Sequence, residues 1–343
     1  MAEAKIVNPL PVEDLEHVLA HTRELWNEAK GASFFITGGT GFFGMWLLES
    51  FAHINDQLDL GISATVLTRD PERFAAKAPH LAQRKDLHFV LGDVRSFAFP
   101  AGEFRYVVHG ATTSGAPVDN LEMLETIIDG TRRVLDYASK HGARKFLYIS
   151  SGAVYGRQPD DLSQIPEDYC GAPDPLDPNS SYGEGKRVGE LLSVLKSQEA
   201  GFEAKIARCF AFIGPHLPLD AHFAAGNFIR DAVAGGPIVV KGDGKSVRAY
   251  LYASVLTIWL WTILFKGKPD RSYNVGSPES QSISEWSQLV STLTGVRVAH
   301  SGSAQGGYSC YVPNVARAER ELALGNTVAL RDGFARTLSW NDK

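Results

Sequence analysis

The chain has 343 residues, 44% of them apolar and 21% charged, which excludes a disordered chain, a collagen-like repeat and a small disulfide-stapled scaffold. Lys and Arg number 34 against 39 Asp and Glu, a net charge of −5. Broad nucleic-acid binding, which needs a basic footprint, is therefore not expected.

The first residues, MAEAKIVNPLPVED, carry no charged-then-apolar leader, so a cytoplasmic location is expected. Apolar positions at Val12, Leu15, Val18, Leu19, Leu25, Trp26 and Ala29 recur at helical spacing. They predict an amphipathic helix over 12–30, within an N-terminal extension of residues 1–32. A short apolar strand over 33–37 follows, then a glycine cluster, a helix over 43–54 and a second strand over 64–68. Further strands are predicted at 88–91, 106–109, 145–149 and 205–208, with helices at 121–140 and 181–198. Short apolar strands alternating with long helices specify an α/β protein with a doubly wound parallel sheet, the Rossmann arrangement, over residues 33–209. Beyond residue 210 the rhythm breaks into short mixed segments punctuated by Pro and Gly. That pattern suggests a smaller, interleaved α/β C-terminal substrate domain over 210–343, with the chain returning to the main sheet near 250–275. The longest apolar run, 255–265, is too short to span a bilayer and reads as a buried helix; no membrane association is expected. Cys170, Cys209 and Cys310 lie far apart and the histidines form no zinc pattern, so no metal is expected.

The segment FFITGGTGFFGMWLLES places Gly38, Gly41 and Gly44 between a strand and a helix. A glycine there permits positive φ, another lets the backbone approach a pyrophosphate, and a third allows close helix packing. The phosphates would then sit at a helix N-terminus, where free N–H groups favour negative charge. Phe42 and Phe43, beside the glycines, and Ala111, after the fourth strand, extend the expected cofactor surface. At the end of the second strand, VLTRDPERF has Thr68 where an acid would bind the ribose of NAD, followed by Arg69. A hydroxyl and a guanidinium suit a 2′-phosphate, so NADP is favoured over NAD. The alternative is an exposed Arg69 beside a helix-capping Asp70. Asp93 and Val94 are placed to bracket an adenine.

Tyr182 and Lys186, in NSSYGEGKRVGELL, stand four residues apart on one helix face. An ammonium near a phenol stabilises the phenolate, which fits the phenol to exchange a proton with a substrate oxygen. Ser151, in ISSGAVYG at a strand end, would orient the same oxygen; Tyr155 and Gly156 complete that segment.

Together the TGGTGFFG turn, the ISSGAVYG segment and the YGEGK pair resemble the extended short-chain dehydrogenases/reductases, and within them the nucleotide-sugar epimerase/dehydratase family. The resemblance covers nearly all of the chain after residue 32. It implies Ser151, Tyr182 and Lys186 as the catalytic set and a nucleotide-sugar substrate whose diphosphate faces Asn227 and Arg248. It also implies a homodimer through helices 121–140 and 181–198, whose apolar positions Ile127, Val134 and Leu191 suit an exposed contact face or a core equally well. The chain departs from the family pattern at Gly152 and Ala153, where 4,6-dehydratases carry two acids and decarboxylases one. It departs again at Ala211, usually Asn, and Val255, often Asp. Without those acids, elimination and decarboxylation are disfavoured. What the resemblance then implies is hydride transfer at one carbon, C4: reduction of a 4-ketone, or alternatively 4-epimerisation with retained NAD.

Overall fold

The computed structural model describes residues 6–112, 119–221, 223–302 and 308–342. Its centre is a seven-stranded, wholly parallel sheet. In chain order the first six strands are β1 (Ser33–Thr37), β2 (Ser63–Thr68), β3 (Leu87–Leu91), β4 (Tyr106–His109), β5 (Lys145–Ser151) and β6 (Glu203–Cys209). Three short strands follow, β7 (Ala211–Ile213), β8 (Ile238–Lys241) and β9 (Val247–Tyr252), before β10 (Arg271–Val275) closes the main sheet beside β6. The strand order β10-β6-β5-β4-β1-β2-β3 reverses between β1 and β4. That reversal opens a crevice at the carboxyl ends of these two strands, the usual ligand position in open α/β sheets.

Alternating side chains dress the two faces. Phe34, Ile36, Val108 and Leu147 face a core shared with α1 (Val12–Thr22), α2 (Phe42–Leu58) and, later in the chain, Ala253–Lys266. Phe35, Val107 and Phe146 face the other core. There, after the short α3 (Pro71–Lys77) and α4 (Pro79–Ala82), lie α5 (Asn120–Lys140) and α6 (Ser181–Ala200). The helix Ala253–Lys266 has no exposed residue before its terminal Lys266, as an apolar pattern all round the helix requires. No helix among the described residues is long and apolar enough to cross a membrane.

The predicted helix over 12–30 divides into α1 and a 3-10 segment, Arg23–Ala29, that turns Trp26 into the core against Trp261 at 4.9 Å. A charged residue helps dock α1. Asp14, fully buried, accepts hydrogen bonds from Tyr252 at 2.6 Å and Arg336 at 2.7 Å.

The remaining helices are α7 (Ala224–Val233), α8 (the buried Ala253–Lys266), α9 (Ile283–Thr294), α10 (Ala316–Leu322) and α11 (Leu330–Asn341). A small sheet centres on β9, which pairs with β7, with β11 (Ser280–Ser282) and with β13 (Cys310–Tyr311), while β12 (Val298–Ser301) pairs with β8.

Candidate active site

The turn after β1 stands at the crevice. Gly38 has φ +77°, and a Cβ there would come within 2.6 Å of the Gly110 carbonyl, so the β1 and β4 turns touch backbone to backbone. Gly44 stands where the third glycine of the turn is expected, at a close approach of the helix. Its added Cβ would meet Gly39 and Gly38 backbone at 2.2–2.4 Å, so it lets α2 fold over the turn, while Gly39 packs on the strand side chain Val66. Gly41, the N-cap of α2, is exposed, and a Cβ there would make only an ordinary contact, 3.6 Å from the Gly38 oxygen. The first turn of α2 carries no acid, which leaves its N–H groups and positive dipole end for an anion. Phe43 extends from this turn to Phe212 of β7, ring centres 5.1 Å apart, and Phe42 lies beside it. Across the crevice the Ala111 N–H donates to Thr37 Oγ1 at 3.2 Å. Thr37 Oγ1 also meets His109, a fully buried ring whose pKa burial pulls down to about 3.

At the end of β2, Thr68 is buried and its hydroxyl accepts the Asp70 N–H at 3.3 Å. Asp70 caps α3, its carboxylate accepting from Arg73 N at 2.8 Å. Arg69 is exposed and makes no hydrogen bond or ion pair among the described residues. Asp93 is gripped by the Arg95 guanidinium, two nitrogens at 2.9 Å, which holds its carboxyl below the usual range. The Val94 side chain packs onto Gly130 of α5.

Ser151 ends β5 and starts the 3-10 turn Gly152–Tyr155, its Oγ accepting Ala153 N at 3.1 Å. Tyr182 and Lys186 lie in the first turns of α6. That helix seats against this turn because Gly183 lies where a Cβ would be 2.7 Å from the Ala153 oxygen, and Gly189 where one would strike the Tyr148 hydroxyl. The structure thus brings Ser151, Tyr182 and Lys186 together. Ser151 lies beside the Tyr182 phenol and acts to lower its pKa.

One expectation changes. Lys186 Nζ donates to the Ile149 carbonyl at 2.8 Å and lies 5.0 Å from the Tyr148 ring centre and 5.9 Å from that of Tyr182. Enclosure pulls the lysine down to about 8, with Cys209 and Glu190 opposing. The phenol is not lowered: burial around the Tyr182 hydroxyl raises it, and the Ser151 hydroxyl beside it only moderates that rise. The ordinary state of Tyr182 at neutral pH is therefore the protonated acid.

Arg248, on β9, donates to the Val247 and Ser309 carbonyls at 2.8 and 3.0 Å and to Ser309 Oγ at 2.9 Å. It meets no carboxylate among the described residues. Asn227 is on α7, its amide oxygen accepting from Arg230 at 3.3 Å. Tyr155 is not at the site: it is buried, donates to Asn274 at 2.7 Å and accepts from Arg208. Arg208 in turn pairs with Glu190 at 2.7 Å, a network below the end of β5 with no local sequence signature. Val255 is core. A residue not anticipated from sequence, Tyr311 of β13, enters the site above Gly152.

A glycine turn at a sheet reversal, followed by a Ser, Tyr and Lys cluster, is the arrangement of the dinucleotide-binding short-chain dehydrogenase/reductase class. The NAD dependent epimerase/dehydratase family matches residues 34–276, and the chain belongs to it, as an NAD(P)-dependent extended short-chain dehydrogenase/reductase. Its relatives include UDP-glucuronic acid decarboxylase 1 of Xenopus tropicalis, 28% identical over 311 residues, covering 89% of this chain and 71% of that protein. The dTDP-glucose 4,6-dehydratase of Streptomyces griseus is 27% identical over 320 residues, 90% of this chain and 93% of the other. Among solved structures, UDP-glucuronic acid 4-epimerase from Bacillus cereus with UDP-glucuronic acid and NAD superposes with a TM-score of 0.75 at 20% identity. It covers 90% of this chain and 98% of that one.

Proposed function

We propose that the chain is an NADP-dependent oxidoreductase that reduces the C4 ketone of a nucleotide-activated deoxysugar. The observation that carries this reading is a site where Ser151, Tyr182 and Lys186 converge while the adjoining Gly152 and Ala153 hold no ionisable group. Such a site can move a proton at one carbonyl oxygen, but at these two positions it offers no acid to eliminate water or to assist loss of a carboxylate.

The residues fit a dinucleotide. The positive-φ Gly38, the exposed Gly41 and the acid-free start of α2 suit a pyrophosphate, with Phe42, Phe43, Gly44 and Ala111 flanking it. Thr68, Arg69, Asp93 and Val94 would hold the adenosine end. Arg69 is exposed beside the helix-capping Asp70, the arrangement that is the alternative to a 2′-phosphate site; the NADP reading rests on that guanidinium turning to a 2′-phosphate when the dinucleotide binds. When bound, the dinucleotide supplies the hydride for the reacting carbon. Tyr182 donates its proton to the carbonyl oxygen, Ser151 holds that oxygen, and Lys186 stabilises the phenolate left behind. Arg248, with its charge uncompensated by an acid, and Asn227 face the diphosphate. The substrate then lies between the 33–209 and 210–343 portions.

We also propose a homodimer through α5 and α6. Ile127 and Val134, open to either role in sequence, are core residues. Leu191 and Leu195, 59% and 55% exposed one turn apart, supply the outward face instead.

The test is NADPH oxidation by purified protein given 4-keto-6-deoxy sugars on UDP, GDP, CDP or dTDP. Stoichiometric consumption supports reduction. Tightly retained NAD, with sugar interconversion and no net consumption, overturns it in favour of 4-epimerisation, the activity of the structural neighbours UDP-glucose 4-epimerase and UDP-glucuronic acid 4-epimerase.

A further inference from the structure

Lys186 is only 3% exposed, and no carboxylate forms an ion pair with it among the described residues. Glu190, one turn further along α6, instead takes Arg208 at 2.7 Å and the Ser150 hydroxyl at 2.6 Å. The ammonium, with three protons to donate, gives one to the Ile149 carbonyl at 2.8 Å. It also stands over the face of the Tyr148 ring, 5.0 Å from the ring centre, closer than its 5.9 Å from that of Tyr182. Packing fixes the Tyr148 ring in this place. It is fully buried on β5, with the His109 ring of β4 leaning on it at 5.6 Å between centres. Its hydroxyl fills the space left by Gly189 of α6, where a Cβ would lie 2.0 Å from it. That hydroxyl finds no hydrogen-bond partner among the described residues, and the Thr131 hydroxyl near it is held by His109 Nε2 at 3.0 Å. Burial pushes the Tyr148 phenol up, so it stays protonated. What Tyr148 offers Lys186 is therefore the face of its ring.

We propose that Tyr148 is a positioning residue for the active-site ammonium: its ring face holds Lys186 Nζ between itself and Tyr182, by a cation–π contact that stands in place of a carboxylate. An aromatic face carries the negative end of the ring quadrupole and attracts a cation most strongly where water is excluded. A carboxylate at this position would hold the lysine too, but it would compensate the charge that the Tyr182 phenolate needs. A neutral ring adds no net charge. The positive charge of Lys186 thus stays available to the phenolate formed when Tyr182 gives up its proton. The same attraction opposes the enclosure that pulls the lysine down to about 8, and so helps to keep it charged near neutral pH. Gly189 belongs to the device, because a side chain there would push the Tyr148 ring off its seat. This rests on the reading of Lys186 as the partner of Tyr182 in proton transfer, though not on which sugar is reduced.

The titratable groups facing Lys186 are Tyr148 on β5, Tyr182 and Glu190 on α6, Cys209 on β6 and His109 on β4. All but Tyr148 are untouched when one aromatic ring replaces another at position 148. The experiment follows Lys186 by carbon NMR with ε-labelled lysine in the free protein, its signal assigned by loss in Lys186→Met. Tyr148→Phe keeps the ring and should leave the Lys186 titration in place. Phenylalanines bearing one, two and three ring fluorines, placed at 148 by nonsense suppression, keep the shape and draw electron density away from the face. Along that series the Lys186 titration should fall stepwise, by about one pH unit in all, with Tm and NADPH affinity kept. The alkaline limb of kcat/KM should move down with it, which a merely structural ring would not cause. A titration that stays put as fluorines are added overturns the proposal. So does one that falls by the full amount in Tyr148→Phe, which would assign the effect to the hydroxyl. The titration needs no substrate, so failure of the 4-keto reductase reading appears separately, as an absence of NADPH consumption.

Discussion

Arg69 offers the sharpest test of cofactor choice, because no hydrogen bond or ion pair among the described residues holds its guanidinium. Thr68 ends β2 just before it, and the following carboxylate, Asp70, is fastened to Arg73 N. The nearby Asp93 is neutralised by Arg95, so it subtracts little from the field at Arg69. A guanidinium hydrogen-bonded to a 2′-phosphate contributes about 1.5–3 kcal/mol, with about 1 kcal/mol of Coulomb attraction per charge pair at 4 Å in water. Exposure and salt screening pull the sum towards the low end, about 2–3 kcal/mol, which is about 30- to 150-fold. Arg69→Ala should therefore lower kcat/KM for NADPH by that factor and leave kcat/KM for NADH within about twofold. The measurement is the ratio of the two specificity constants in wild type and variant, repeated at raised ionic strength, where the difference should shrink. Equal losses for both cofactors, or a wild-type preference for NADH, would refute the assignment of Arg69 to a 2′-phosphate.

Tyr182→Phe should cut turnover by about 10²- to 10⁴-fold, the usual worth of a positioned acid, with NADPH affinity kept when read by fluorescence titration. In wild type, kcat/KM should decline above about pH 8, where the buried Lys186 loses its charge. Stability from that lysine moves the other way: between about 8 and its ordinary 10.5 only the unfolded chain binds the proton, so the native state gains as pH rises. Glu49 titrates with the opposite sense. Burial alone would raise its carboxyl, but hydrogen bonds from His216 and the Leu10 N–H, with the His80 imidazole 3.4 Å away, hold it below 4.5. Its contribution is present above that value and lost as pH falls through the native pKa. Glu49→Gln should thus lower Tm at pH 7, by about 1–3 kcal/mol of stability, and the gap from wild type should close on acidification. Gly44→Ala forces its methyl into backbone at 2.2–2.4 Å and should lower Tm and abolish dinucleotide binding together. Gly41→Ala, whose methyl meets only an ordinary contact, should leave Tm in place and weaken only the binding, as thermal unfolding with and without NADPH would show.

What could be read from sequence was what depends on neighbours along the chain. The strand over 33–37, the buried helix holding 255–265 and the Tyr182–Lys186 pair all follow from spacing within a few residues, and all three form as expected. Ser151 was legible for the same reason, standing where a run of apolar strand residues stops. What sequence left open turns on which stripe of an element faces what. In α5, Ile127 and Val134 lie under the sheet and α6, whereas Leu191 of α6, equally apolar, points outward. Periodicity finds a stripe but does not say which body covers it. Tyr311 was illegible for a stronger reason. Its strand is two residues long and exists only because β9 is beside it, so no local propensity marks it. The vacancy it fills belongs to Gly152, which sequence presents only as a missing acid. A glycine in this segment is thus informative in two ways: it removes an ionisable group, and it makes room for a side chain from elsewhere.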